Sequence, residues 1–122
     1  MRRVFAHQAV VDMAADADVD VLGAAVTSAL CTHWGDQRPR SLAPHRTSAV
    51  RGEDGRVRIR VLFAADSATE YAVRCRIELA LAGGHMCGLN GTLTRWELRS
   101  SAPADPTADE AGQVTGFFHG VG

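Results

Sequence analysis

Apolar and polar residues alternate over the first dozen positions of the chain, RRVFAHQAVVDM. Phe5, His7, Ala9, Val11 and Met13 fall on one side, and Val4, Ala6, Gln8, Val10 and Asp12 on the other, the period of two that a half-buried strand requires. The first set is the more apolar and is expected to face the core. The period then changes. In AADADVDVLGAAVTSALCTHW, residues Val19, Leu22, Val26, Ala29, Leu30 and His33 recur at helical spacing. Asp16, Asp18 and Asp20 stand where a helix N-terminus takes caps and negative charge. Gly35, followed by Pro39, is expected to end this helix.

TSAVRGEDGRVRIRVLFA reads as a hairpin, because its Asp54-Gly55 dipeptide accepts positive φ between two β-rich runs. In the second run Val57, Ile59, Val61 and Phe63 share one face, and Arg56, Arg58 and Arg60 share the other. DSATEYAVRCRIELALAGG supports two patterns. Tyr71, Val73, Cys75, Ile77, Leu79 and Leu81 alternate as in a strand, which would leave one helix packed on a β-meander. Against that, Ser67 and Glu70 are spaced as a capping box, Gly83 closes the run, and the residues between are good helix formers. Helix is therefore the expectation. Val73, Ile77, Ala80 and Leu81 would then face the core, and Tyr71, Cys75 and Leu79 would form a second stripe suited to a partner helix or another subunit.

GTLTRWELRSS alternates as a strand once more, with Thr92, Thr94, Trp96 and Leu98 on one side. Residues 1–100 thus read as a single α+β domain. Residues 101–122 read as a C-terminal tail, a Pro/Ala linker followed by a short helix from about Thr107. The order strand, helix, strand, strand, helix, strand, over about residues 3–99, resembles the ferredoxin-like split βαβ superfold. That resemblance implies an antiparallel sheet with both helices on one face. It implies no function, which has to be argued from sites.

Composition narrows the field. The chain has 122 residues, 46% apolar and 22% charged, which suits one soluble core. A net charge of -1 disfavours bulk attraction to nucleic acid or anionic lipid. The charge is uneven, however, with four aspartates between Asp12 and Asp20 and seven arginines between Arg38 and Arg60. No apolar run is long enough to span a bilayer, so no membrane is expected. Cys31, Cys75 and Cys87, an odd number at irregular spacing, read as reduced thiols, and the cytoplasm is the expected compartment.

Three groups of residues could carry chemistry. Cys31, His33 and His45 lie within LCTHWGDQRPRSLAPHR and are the ligand types that zinc or a similar divalent metal prefers. On a continuing helix, however, Cys31 and His33 would point about 200° apart. A loop with His33 against the helix end is the plainer expectation, with no cofactor. His85 and Cys87 in GGHMCG could form a reactive thiol pair, but no rigid third group stands beside them, and a simple connection is expected. Arg56, Arg58, Arg60, Arg95 and Arg99 would gather on the sheet face away from the helices, where guanidinium groups could hold phosphate, carboxylate or another small anionic ligand.

Nucleic acid is disfavoured on that face because it carries no aromatic side chain for base stacking. A solvated face, or packing against a second copy or a protein partner, is the competing use. The chain contains no G-x-S-x-G, H-E-x-x-H, P-loop or G-x-G-x-x-G pattern. A ferredoxin-like barrel enzyme of the small monooxygenase or isomerase kind is conceivable with His7 or Trp96 in a pocket between sheet and helices, but the sequence supplies no paired acid and base. The expectation is a non-catalytic binding or assembly module. The alternative is a metal-binding protein or small-molecule enzyme using Cys31, His33 and His45.

Overall fold

The structure, a computed structural model, describes residues 2–32, 40–41, 43–88 and 91–112, with backbone only for Arg2, Cys31, Thr32, Arg40 and Ser41. In chain order the elements are β1 (Arg2–Met13), α1 (Asp20–Leu30), β2 (Cys31–Thr32), β3 (Arg40–Ser41), β4 (His45–Arg51), β5 (Arg56–Asp66), α2 (Ser67–Ala82), β6 (His85–Cys87) and β7 (Leu93–Ala104). A further helical segment, α3, is described over 108–112. Five strands form one antiparallel sheet in the order β4-β5-β1-β7-β6, while among the described residues β2 and β3 form a separate two-stranded pair. The expected class, α+β with an antiparallel sheet, holds.

Both long helices pack on one face of this sheet and share a core with it. The alternation in β1 and β5 puts Ala9, Val11, Val57, Ile59, Val61 and Phe63 under the helices, each no more than 3% exposed. The 67–82 segment is helical throughout, which removes the β-meander alternative. Val73, Ile77 and Leu81 are its buried residues, four apart, and Tyr71 and Leu79 are 78% and 73% exposed. Removing an aliphatic side chain of this kind from water contributes about 1.5–3 kcal/mol, so three of them outweigh the modest difference in intrinsic propensity between helix and strand.

Several expectations need correction. The capping box at Ser67 and Glu70 does not form: Asp66 is the N-cap, without a side-chain cap bond, and Ser67 is already helical. Glu70 instead pairs with Arg74 one turn on. Helix α1 stops at Leu30, and Cys31–Thr32 is extended and paired with Arg40–Ser41, so the argument that placed Cys31 and His33 on one helix lapses. His85–Cys87 is not a plain connection but an edge strand, in register His85↔Arg95, Met86↔Thr94 and Cys87↔Leu93.

The last strand runs on to Ala104, past Pro103, because a bulge opposite Val10/Val11 inserts Arg99 and resets the alternation. Proline is tolerated there since β6 pairs with β7 at residues 93–95, and no strand among the described residues pairs with the outer edge beyond. Two further features tie β7 down. Gly84, at φ +74°, lets the chain turn tightly enough for Trp96 N–H to reach its carbonyl at 2.9 Å. The Trp96 indole N–H donates to the Leu81 carbonyl at the end of α2, at 2.7 Å.

Candidate binding face

Because β5 alternates, Arg56, Arg58 and Arg60 stand on the sheet face that the helices leave open. The two ends of this row are neutralised differently. Asp12, on the neighbouring β1, takes Arg56 at 3.4 Å and also Arg99, the bulge residue of β7, which in turn lies 3.5 Å from Glu97. The bulge therefore delivers a second guanidinium to a single carboxylate. At the other end, Arg60 Nε and Nη2 donate to the two oxygens of Glu110 at 2.6 and 2.8 Å. Its remaining contacts are Asp105 O at 2.6 Å and Gln8 Oε1 at 3.1 Å.

Glu110 belongs to α3, and a capping box orients it there. Thr107 N–H donates to Glu110 Oε1 at 2.8 Å, and Glu110 N–H donates to Thr107 Oγ1 at 3.1 Å. The Arg60 fork first, and the Thr107 N–H second, draw the Glu110 pKa down to about 2. Arg60 and Glu110 are therefore both charged at neutral pH. Glu110 is the residue of this face that the sequence reading missed. The Thr107-x-x-Glu110 spacing was the available signal, but nothing local pointed it at a strand fifty residues away.

Between the neutralised ends stands Arg58. It is exposed, and its side chain makes no hydrogen bond or ion pair among the described residues. It lies on the floor of a groove of about 460 Å³, also lined by Gln8, Val10, Ser48, Val50, Arg60 and Ser100. Val50 is 65% exposed, so the groove offers apolar surface beside a cation and two hydroxyls. Arg95 is not part of it. That residue lies beyond the last β1–β7 pair, Met13↔Trp96, and lines a separate cleft with Asp16 and Asp18. Of the five arginines expected together, the sheet thus gathers four, and three of those have carboxylate partners.

The space between sheet and helices holds polar groups of another kind. His7 is fully buried beneath α2. Arg74 Nη1 donates to His7 Nδ1 at 3.1 Å and to the Ala6 carbonyl at 2.7 Å, and Arg74 Nε donates to Glu70 at 2.7 Å. Its guanidinium carbon lies 5.7 Å from the centre of the Phe5 ring and 5.3 Å from that of Phe63. Arginine can only donate, so Nδ1 is the bare nitrogen and the neutral ring carries its proton on Nε2. That N–H faces Ser101 Oγ at 2.8 Å and Glu78 at 3.5 Å. An imidazole that donates to Ser101 cannot withdraw the Ser101 proton. The group is built to hold α2 on the sheet, and burial followed by the Arg74 charge holds the His7 pKa below its ordinary value against the opposing pull of Glu78.

Of the metal candidates, His33 lies outside the described residues, as does the side chain of Cys31. His45 opens β4, with Nδ1 bonded to the Ala43 carbonyl at 3.0 Å and Nε2 to Thr27 Oγ1 at 2.9 Å. No group of three metal-ligating side chains occurs among the described residues. His85 and Cys87 are exposed on the edge strand, where His85 Nδ1 bonds the Gly83 carbonyl at 2.9 Å. No helix among the described residues is long and apolar enough to cross a membrane. Comparison with known proteins finds no matching family model, no similar curated protein and no similar solved structure.

Proposed function

We propose that this chain is a non-catalytic binding or assembly module of the split βαβ kind, working through the open face of its sheet. The topological part of this reading is supported by the order of the four long strands, 45–51, 56–66, 2–13 and 93–104, with β6 as an added edge. The functional part rests on one observation: Arg58 stands without a partner among the described residues in a groove whose other arginine is already engaged. An exposed guanidinium that no carboxylate neutralises, set in a concavity, is suited to an anionic group on a small ligand. Val10 and Val50 would take an apolar part of the same molecule. The cytoplasm is the compartment that fits the free thiols of Cys75 and Cys87.

The test is thermal stabilisation in low salt by phosphate-bearing and carboxylate-bearing small molecules. A concentration-dependent rise in Tm that is lost in Arg58→Ala and kept in Arg95→Ala supports the reading. No rise with any anion disposes of it. Self-association is a second use, favoured by the exposure of Tyr71 and Leu79 on one side of α2. Sedimentation of the intact chain beside Leu79→Glu decides it, a dimer being expected in the first and a monomer in the second.

A further inference from the structure

Glu110 engages Arg60, one of the residues that line the groove, in the way that a ligand carboxylate would. It forks onto Arg60, and the same segment brings the Asp105 carbonyl to Arg60 as well. Arg58 and Arg60 are alternate residues of β5 on one face, so their Cα atoms are about 7 Å apart. A tetrahedral dianion, with three oxygens directed at different donors, can bridge two guanidinium groups at that separation. A carboxylate can also span two guanidinium groups, as Asp12 does between Arg56 and Arg99, but it brings only the single charge that Glu110 already supplies. We infer that the groove takes a phosphate monoester, and that the phosphate bridges Arg58 and Arg60 by displacing Glu110, which undocks the 105–112 segment from the sheet.

This rests on the open face being the binding surface and adds to it the ligand class and a coupled release. The capping box is internal to the segment, so α3 keeps its Thr107–Glu110 contacts or exchanges them for water without affecting the sheet. What changes is which carboxylate or phosphate satisfies Arg60. Binding and docking are then linked: each weakens the other by the same factor. The charge balance favours the exchange only for a dianion, since one negative group leaves Arg60 and two charges arrive at a pair of arginines.

The experiment titrates the full chain with phenyl phosphate, and separately with benzoate, at low ionic strength and neutral pH, following affinity and amide hydrogen exchange. Phenyl phosphate is expected to raise exchange at residues 107–112, and benzoate to leave it unchanged. Glu110→Gln is expected to bind phenyl phosphate about tenfold more tightly, the worth of one charge-assisted contact released. Asp105→Asn removes a nearby charge without opening the fork and is expected to gain clearly less. If phenyl phosphate binds in an Arg58-dependent way while exchange at 107–112 stays fixed and Glu110→Gln binds no tighter, the coupled release is wrong and the binding face stands. If no variant, Glu110→Gln included, binds phenyl phosphate, the inference and the reading beneath it both fall.

Discussion

His7 and Arg74 form a polar pair enclosed between the sheet and α2. Arg74 satisfies three groups at once, the Glu70 carboxylate, the Ala6 carbonyl and the His7 ring, while lying against two phenylalanines. Replacing it with methionine keeps the stem's packing but leaves those acceptors short of a donor, a loss of about 3 kcal/mol in unfolding free energy by denaturant titration. His7 sets a pH dependence. Its folded pKa lies below 6.5, so the unfolded chain takes the proton first. The stability is full above pH 6.5 and is lost as pH falls from there toward the folded value. Unfolding free energy measured at pH 7.5 and 5.5 is expected to drop on acidification and to drop less in His7→Gln. An unchanged wild-type value would contradict the buried neutral ring. The face of β1 that bears His7 was legible from alternation alone. Its partner was not, because the pairing of His7 with a side chain on a helix sixty-seven residues later depends on how α2 crosses the sheet.

At the scale of elements, α2 shows why one sequence can read two ways. Residues 71, 73, 75, 77, 79 and 81 satisfy a period of two, but only 73, 77 and 81 are buried, the spacing of a helix. A pair of substitutions separates the patterns: Ile77→Ala should cost about 3 kcal/mol and Leu79→Ala less than about 0.5 kcal/mol, as for a core and a surface position. A strand would penalise both. The β7 boundary was misread for a different reason. The Arg99 bulge breaks the alternation that reveals a strand, and Pro103 reads as a linker unless the outer edge is known to be unpaired. The hairpin at Asp54-Gly55 was legible because its turn chemistry is local, and Gly55 has the expected left-handed φ of +81°. Gly84 holds a second left-handed position, where a Cβ would lie 2.9 Å from the Trp96 carbonyl. Gly84→Ala is expected to lower stability by about 1–3 kcal/mol in thermal or denaturant unfolding.

Among the described residues the sheet has two unlike faces, one committed to the main core and the other divided between a small second apolar cluster of Ala6, Leu62 and Ala64, internal ion pairs and the open guanidinium of Arg58. Charge counting over the sequence suggests a basic surface on that face; the pairing removes most of it. Asp12 and Glu110 come from the first strand and the last described segment, and neither could be matched to its arginine before the strand order was known. The docking of 105–112 should itself respond to acid. Glu110 has its folded pKa near 2, so its contribution is present above the unfolded value of 4.5 and is lost as pH falls between the two. The claim on which the functional account turns is that Arg58 receives an anion. Its most direct test is a series of ¹H–¹⁵N spectra, resolving arginine Nε–H signals, recorded while phenyl phosphate is added to the intact chain. Saturable shifts of the Arg58 Nε–H and of amides at Val10, Val50 and Ser100, absent from Arg95, are the predicted result; spectra that do not change at Arg58 through millimolar ligand would contradict it.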